Sequence, residues 1–354
     1  MRGTAFFFGT GLVATLTLAP GCVPEFEDDL SLVTERKVLA VRAEPAEVPP
    51  GGQTRLSVLV AAPVGEDSGA EELSWALCVA RKPLTELGPV LQECVTDFGT
   101  ESAALEPLGS GSEVDAEVGG NACSQFGPVA PVGESGQSSG RPVDPDTTGG
   151  YYQPVLVGDD EVTLSGIRIS CSAVGIRGDQ TIAYNRSYRP NENPELTRLV
   201  VADKKEREVP ERQSGERLSV KVGETLELRA EWPECPEQPV CGDGMCTSGE
   251  DQVSCAADCR TAPKGCTGAE SYVWINPETR LVAPRREGLT LAWYGTAGSF
   301  ENHQTGRTEA DKDGTDTHNR WTAPKVPGLV RLWTVLRDDR GGTSFREYEL
   351  DVTR

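Results

Sequence analysis

The sequence is poor in the residues that most often carry catalysis. Only 2 histidines occur in 354 residues. They are His303 and His318, both in the polar segment 301–319 and neither in a HisGluxxHis spacing. There is no phosphate-cradling loop, no dinucleotide fingerprint, and no Gly-x-Ser-x-Gly elbow set between a strand and a helix. Positive charge is also scarce, with 34 Lys and Arg against 55 Asp and Glu, a net charge of −21. That balance excludes a nucleic-acid partner, whose phosphates must be met by Lys and Arg. Beyond the first residues no apolar run approaches the 18 or so needed to span a bilayer. Long stripes of helical period are missing, and Pro or Gly punctuates every apolar stretch.

What is present begins at the amino end. Met1 and Arg2 are followed by an uncharged, largely apolar stretch from Ala5 to Leu18. At about 14 residues it matches the core of a signal peptide and is too short to cross a membrane. It runs into Leu18-Ala19-Pro20-Gly21-Cys22. This segment resembles the lipobox of bacterial lipoproteins, with Ala19 in place of the usual leucine and an uncommon Pro20. The resemblance implies a diacylglyceryl thioether on Cys22, removal of residues 1–21 and acylation of the new amine, so that the membrane is reached through a lipid anchor. Val23 is not the aspartate that resembles an inner-membrane retention signal, which implies the outer membrane. Residues 22–35 read as an acidic tether.

The chain has 11 cysteines, and setting Cys22 aside leaves an even ten. In an exported chain these are disulfide candidates. Cys78, Cys94, Cys123 and Cys171 lie early, while Cys235, Cys241, Cys246, Cys255, Cys259 and Cys266 are clustered. Spacing leaves the pairings open, although Cys235 and Cys266 flank the cluster and could close its base.

The rest reads as β-structure. Residues 54–61 alternate at Leu56, Val58 and Val60, and further strand signals lie at 38–43, 73–80, 151–157 and 162–173. Residues 97–150, rich in Gly, Ser, Glu and Pro, read as a long flexible loop. A second round then repeats the first. Gly223-Glu224-Thr225-Leu226 echoes Gly52-Gln53-Thr54-Arg55, and Leu291-Ala292-Trp293 echoes Leu73-Ser74-Trp75. The expected fold is all-β: two tandem sandwiches over 36–195 and 196–354, the second interrupted by a cysteine-rich insert at 235–266. Trp75, Trp293 and Trp333 sit in apolar runs and read as core. Val38-Leu39-Ala40-Val41-Arg42-Ala43-Glu44-Pro45, Arg320-Trp321-Thr322-Ala323-Pro324 and Val335-Leu336-Arg337-Asp338-Asp339-Arg340-Gly341-Gly342 resemble the immunoglobulin-like modules of myxobacterial surface lipoproteins. The resemblance implies an extracytoplasmic interaction or structural role.

The sharpest motif is Cys241-Gly242-Asp243-Gly244-Met245-Cys246, continuing through Gly249-Glu250-Asp251 to Cys255-Ala256-Ala257-Asp258-Cys259. It resembles the short cysteine-rich repeat of myxobacterial and other secreted proteins, with Gln252 near where many copies carry another cysteine. So short a segment cannot bury a sufficient core and depends on crosslinks. Asp243, Glu250, Asp251 and Asp258 are hard oxygen donors among tight turns, suited to calcium or simply to water. Zinc on the thiolates is disfavoured in an oxidising compartment. Adjacent acids such as Asp159-Asp160 and Asp338-Asp339 are expected to face solvent. The sequence thus points to a non-enzymatic, lipid-anchored surface protein that needs no cofactor, with calcium on these acids as the alternative, and that meets a protein or polysaccharide partner. A lipid-anchored hydrolase and a structural spacer are the alternatives.

Overall fold

Strand-forming residues with period-two alternation organise the chain, and the phase of each strand decides which residues turn inward. The computed structural model describes residues 30–83, 86–127, 148, 150–171, 178–235, 265–311 and 314–354.

The first sandwich is built from β1 (Lys37–Glu44), β2 (Glu47–Val48), β3 (Gln53–Ala61), β4 (Ser74–Cys78), β5 (Leu105–Ser110), β6 (Glu113–Glu117), β7 (Gly150–Gly158) and β8 (Val162–Ser170). One sheet has the order β1-β3-β6 and the other β2-β8-β7-β4-β5. At Pro45 the chain leaves the first sheet, and β2 then runs parallel to the last strand, β8. The second sandwich repeats this plan with β9 (Arg198–Val201), β10 (Arg207–Glu208), β11 (Leu218–Lys221), β12 (Thr225–Glu231), a hairpin β13 (Ser271–Ile275) and β14 (Val282–Arg286), then β15 (Leu289–Gly295), β16 (Ser299–Phe300), β17 (Gln304–Arg307), β18 (Asp316–Thr322), β19 (Gly328–Asp338) and β20 (Thr343–Thr353). Its sheets are β10-β9-β12-β18-β16 and β11-β20-β19-β15-β17, and β11 again runs parallel to the last strand, β20. The shared order, with a first strand divided between the two sheets, is the immunoglobulin-like arrangement in tandem.

Each sandwich buries one tryptophan on the equivalent central strand. The Trp75 indole on β4 donates to the Gly111 carbonyl at 2.8 Å, and that of Trp293 on β15 donates to Thr305 Oγ1 at 2.9 Å. Trp321 fills the second core beside Trp293. Trp333 is buried as expected, in the apolar cluster between the two sandwiches.

The expectation of a flexible loop over 97–150 is corrected for the part that is described. Residues 105–110 and 113–117 are the strands β5 and β6, and Ala122–Phe126 is a short helix. Glu113-Val114-Asp115-Ala116-Glu117 alternates cleanly, with Val114 and Ala116 buried and the acids outside. Its Gly-rich surroundings disguised that pattern. Gly109 and Gly111 have φ of 109° and 138°, so they supply a left-handed turn between the strands rather than disorder. Among the described residues three disulfides are formed: Cys78–Cys94, Cys123–Cys171 and Cys235–Cys266. The first helps to hold residues 86–104 over the outer face of β4 and β7, where Val90 and Leu91, with Leu105, cover Ala76 and Leu156.

The sandwiches lie side by side and run in opposite directions. On β3 the even residues Leu56, Val58 and Val60 fill the sandwich's own core, while Leu59 and Ala61 face the second sandwich. On β19 the same division holds. Val330, Leu332 and Leu336 point inward, and Trp333 and Val335 point at the first sandwich. Arg331 and Arg337 flank this apolar patch and donate to the carbonyls of Pro63 (3.4 Å) and Leu39 (2.9 Å). The segment before β1 also crosses over. The Val33 N–H donates to Gly295 O at 2.9 Å, and the Gly295 N–H to Ser31 O at 2.8 Å.

Candidate functional site

Where the lower end of the first sandwich meets the loops of the second, a group of charged side chains is buried. Its centre is Arg340, in the turn between β19 and β20 and 1% exposed. Three acceptors hold its guanidinium. Nη2 donates to Glu270 Oε2 at 2.5 Å, Nε to Glu287 Oε1 at 2.7 Å, and Nη1 to the Arg189 carbonyl at 3.1 Å. The same group lies 4.6 Å from the centroid of the Tyr272 ring. The first sandwich reaches the turn through Tyr152, whose hydroxyl donates to the Arg340 carbonyl at 2.6 Å.

Asp338 shapes the turn from within. Its Oδ1 accepts the backbone N–H groups of Arg340 and Gly342, each at 2.8 Å, and its Oδ2 accepts Asn191 Nδ2 at 3.1 Å. A Cβ on residue 342 would fall 2.1 Å from Asp338 Oδ2, so only glycine lets the carboxylate close over the turn. Asn191 links the two halves, since its N–H donates to Glu47 Oε2 at 2.8 Å. Glu47, on β2 of the first sandwich, also accepts Arg168 Nε at 2.9 Å, Ser170 Oγ at 2.7 Å and the Tyr188 hydroxyl.

Electrostatics separates these acids into two kinds. Burial pushes the carboxyls of Glu270, Glu287 and Asp338 above the ordinary range, with Arg340 only partly opposing it. For Glu270 the value reaches about 7. Glu47 moves the other way. Burial would raise it, but Arg168, Tyr188, Arg340 and Ser170 together hold it below the usual carboxylate range. One guanidinium thus serves three crowded carboxyls in the second sandwich, while Glu47 is well matched by its neighbours.

The cysteine-rich insert leaves and rejoins the fold at this place. The Cys235–Cys266 disulfide closes its base, and the Gly268 N–H points at Cys235 Sγ at 3.2 Å. A Cβ on residue 265 would meet both carboxylate oxygens of Glu270 at 2.7 Å, so the base of the insert rests against the ionic cluster. The hairpin β13–β14 and the helix Gly178–Ser187 pack beside it, sharing Tyr184, Val273 and Ile275. In the repeated plan the insert and hairpin together occupy the connection between β12 and β15, at one end of the second sandwich.

Of the residues singled out in the sequence, the structure pairs six cysteines as given above. Cys22, Cys241, Cys246, Cys255 and Cys259 lie outside the described residues, as do Asp243, Glu250, Asp251 and Asp258. So does Gly136-Gln137-Ser138-Ser139-Gly140, which has the letters of a nucleophile elbow within a Gly/Ser-rich segment. His318 lies on the outer face of the second sandwich, 3.6 Å from Asp316 and remote from the junction. Asp338 corrects the expectation that adjacent acids face solvent. It is buried, and only Asp339 beside it is exposed. Sequence reasoning passed over Arg340, Glu270, Glu287, Glu47 and Arg168. The available signal was Asp338-Asp339-Arg340-Gly341-Gly342, a charged turn between two long apolar strands. A separate groove of about 560 Å³ between the sandwiches includes Arg42, Arg212, Arg346, Glu211 and Glu347. There Arg212 pairs with Glu347 at 2.9 Å and Arg346 with Glu211 at 3.0 Å. Among the described residues no group of His, Cys, Asp and Glu has a metal-holding arrangement, and no helix is long and apolar enough to cross a membrane.

No family model matches the chain, and no curated protein does. Among solved structures, the native conformation of E. coli alpha-2-macroglobulin is similar over 90% of this chain and 17% of its own, at 8% identity and a TM-score of 0.23. Latent PorU from Porphyromonas gingivalis matches 90% of this chain and 24% of its own, at 10% identity and a TM-score of 0.20. The extracellular cadherin domains 3–6 of protocadherin gamma B2 match 87% and 44%, at 9% identity and a TM-score of 0.19. The chain spans less than half the length of each.

Proposed function

We propose that this chain is a lipid-anchored surface protein of the bacterial envelope, attached through Cys22, which holds its cysteine-rich insert on a rigid two-sandwich platform for a protein or polysaccharide partner. The observation that carries this reading is the junction. A buried ionic cluster and an apolar patch fix the sandwiches to each other, and the same cluster supports the base of the insert. Long insertions at one end of a sandwich are where such folds place recognition. The outer-membrane location, the calcium at Asp243, Glu250, Asp251 and Asp258, and the resemblance to myxobacterial lipoproteins belong to this proposal.

A hydrolase would need two accessible carboxyls. The raised pair Glu270 and Glu287 is buried and bound to Arg340, which suits holding a joint more than meeting a substrate. The deciding experiment is intact mass and free-thiol count on protein extracted from membranes, with Cys22→Ala as control. The mass of a chain starting at Cys22 plus acyl chains, without free thiols, is the expected result. An unlipidated soluble product would remove the membrane placement. Free thiols with bound metal would turn the insert into a zinc site.

A further inference from the structure

The two ends of the molecule differ in what they offer, and strand register assigns each feature to its end. In the second sandwich β15 starts at Leu289, paired with Asp338 beside the ionic cluster, and ends at Gly295, paired with Leu332. On β12 the last residue, Glu231, pairs with Asp316 and leads to the insert, whereas the first, Thr225, pairs with Thr322. Seven strand residues separate the two ends, roughly 20 Å. The base of the insert and the ionic cluster lie at one end. The other end carries Gly295, the 323–327 loop after β18, and the close of β20, where Val352 pairs with Gly328.

The chain from Cys22 enters at that second end. Ser31 and Val33 bond to Gly295, and Leu30 is the first described residue. Leu30 is the eighth residue after Cys22, a reach of at most about 28 Å when fully extended. Three exposed apolar side chains sit around this entry. Leu30 is 62% exposed, Val64 42% and Val326 73%. Val64 follows Pro63, whose carbonyl receives Arg331 of the second sandwich, and Val326 caps the turn Pro324-Lys325-Val326-Pro327. A short apolar tip with a lysine beside it suits the boundary between headgroups and acyl chains, because the ammonium can reach phosphate while the side-chain stem stays in the apolar layer.

We infer that the tether end, marked by Leu30, Val64 and Val326, rests on the lipid surface and that the insert end therefore faces away from the membrane. This rests on the lipid-anchor reading given above. Tethering makes even a weak contact effective, since the surface is held at high local concentration. The neighbouring loops of the first sandwich expose Glu66, Asp67, Asp159, Asp160 and Glu161, so the contact is with zwitterionic lipid and loosens as anionic lipid is added. The opposite end keeps its own exposed residues, Ile182 on the helix Gly178–Ser187 and Leu281 on the hairpin, free for a partner.

The test uses the mature chain coupled through Cys22 to a maleimide lipid in phosphatidylcholine vesicles that contain brominated acyl chains. Single Trp substitutions report which end is near lipid: Leu30→Trp, Val326→Trp and Leu281→Trp. Of the 6 native tryptophans, Trp75, Trp232, Trp293, Trp321 and Trp333 are buried and Trp274 on the hairpin is half-buried, so the unsubstituted chain is measured in parallel and its signal subtracted. Quenching of the added signal should be at least about two-fold greater at 30 and 326 than at 281. It should fall when phosphatidylglycerol replaces part of the lipid. Equal quenching at all three sites, none at any, or a maximum at 281 would overturn the orientation. Quenching that rises with anionic lipid would overturn the zwitterionic assignment. Chemical coupling makes the result independent of acylation in the cell, which the mass measurement judges separately.

Discussion

Two contacts join the sandwiches, and they are built on opposite principles. One is a dry patch in which Val33, Leu39, Leu59 and Ala61 meet Ala292, Trp333 and Val335. The other is the ionic cluster of Glu47 and Arg168 against Asp338, Arg340, Glu270 and Glu287. Apolar contact is tolerant of small shifts and sets little direction. A guanidinium held by three acceptors fixes an angle, because every member must be satisfied at once. The patch supplies adhesion between the modules, and the cluster supplies the geometry that orients the insert. Substitutions at each contact separate these roles.

The largest effect is expected at the cluster. Arg340→Met leaves Glu270, Glu287 and Asp338 buried without their shared cation. Removing one partner of a buried ionic group costs about 3–5 kcal/mol. Thermal or denaturant unfolding should drop by that amount and divide into two transitions as the sandwiches separate. A single transition with unchanged midpoint would show that the cluster is not what couples them. Trp333→Ala comes next, at about 3 kcal/mol for the lost contact and the space left behind. Its signature should differ from that of Arg340→Met. The junction acids keep their partners, so the pH dependence of stability should be unchanged.

That pH dependence is the third prediction. The folded-state values of Glu270, Glu287 and Asp338 lie above their unfolded ones. Stability from this source is therefore fully present below the unfolded value near 4.5, and is lost as pH rises through the folded value, about 7 for Glu270. Melting temperature should be higher near pH 5.5 than near pH 8, a difference of about 1–2 kcal/mol in stability. The net charge of −21 acts in the same direction through self-repulsion, so wild type alone is not decisive. Glu270→Gln separates the two. It should flatten the slope between pH 5.5 and 8, and an unaltered slope would assign the effect to net charge.

The difference between the contacts also explains what the sequence made legible. Strand positions, the tandem plan and the two central tryptophans follow from local patterns, because alternation and turn residues are written within a few positions of each other. The run 329–336 is mostly apolar, and its continuity has a structural cause, since β19 is covered on both faces. The Gly-x-Thr echo located the equivalent strands β3 and β12 but misled on phase. Thr54 is buried and Thr225 is exposed, so the matching letters lie one residue out of register. The cluster was not legible. Its members come from positions 47, 168, 270, 287 and 338–340, each of which reads alone as ordinary surface charge. Only the topology brings them together.

The smallest prediction tests whether the dry patch has any directional content of its own. Arg337 borders it, and its guanidinium donates to the Leu39 carbonyl at 2.9 Å on β1, which pairs with β3 at a bulge between Val38 and Ala40. That bulge leaves the Leu39 carbonyl outside the ladder and aimed at the second sandwich, where a charged donor meets it. A hydrogen bond of this kind contributes about 1 kcal/mol. Arg337→Ala should lower stability by that amount and leave unfolding as one transition, since Arg340 and its acids still fix the angle. Arg337→Ala combined with Arg340→Met then becomes informative. If the two costs add, the patch and the cluster act independently. If the pair costs less than the sum, separation of the sandwiches in Arg340→Met has already broken the Arg337 contact, and the cluster governs both joints.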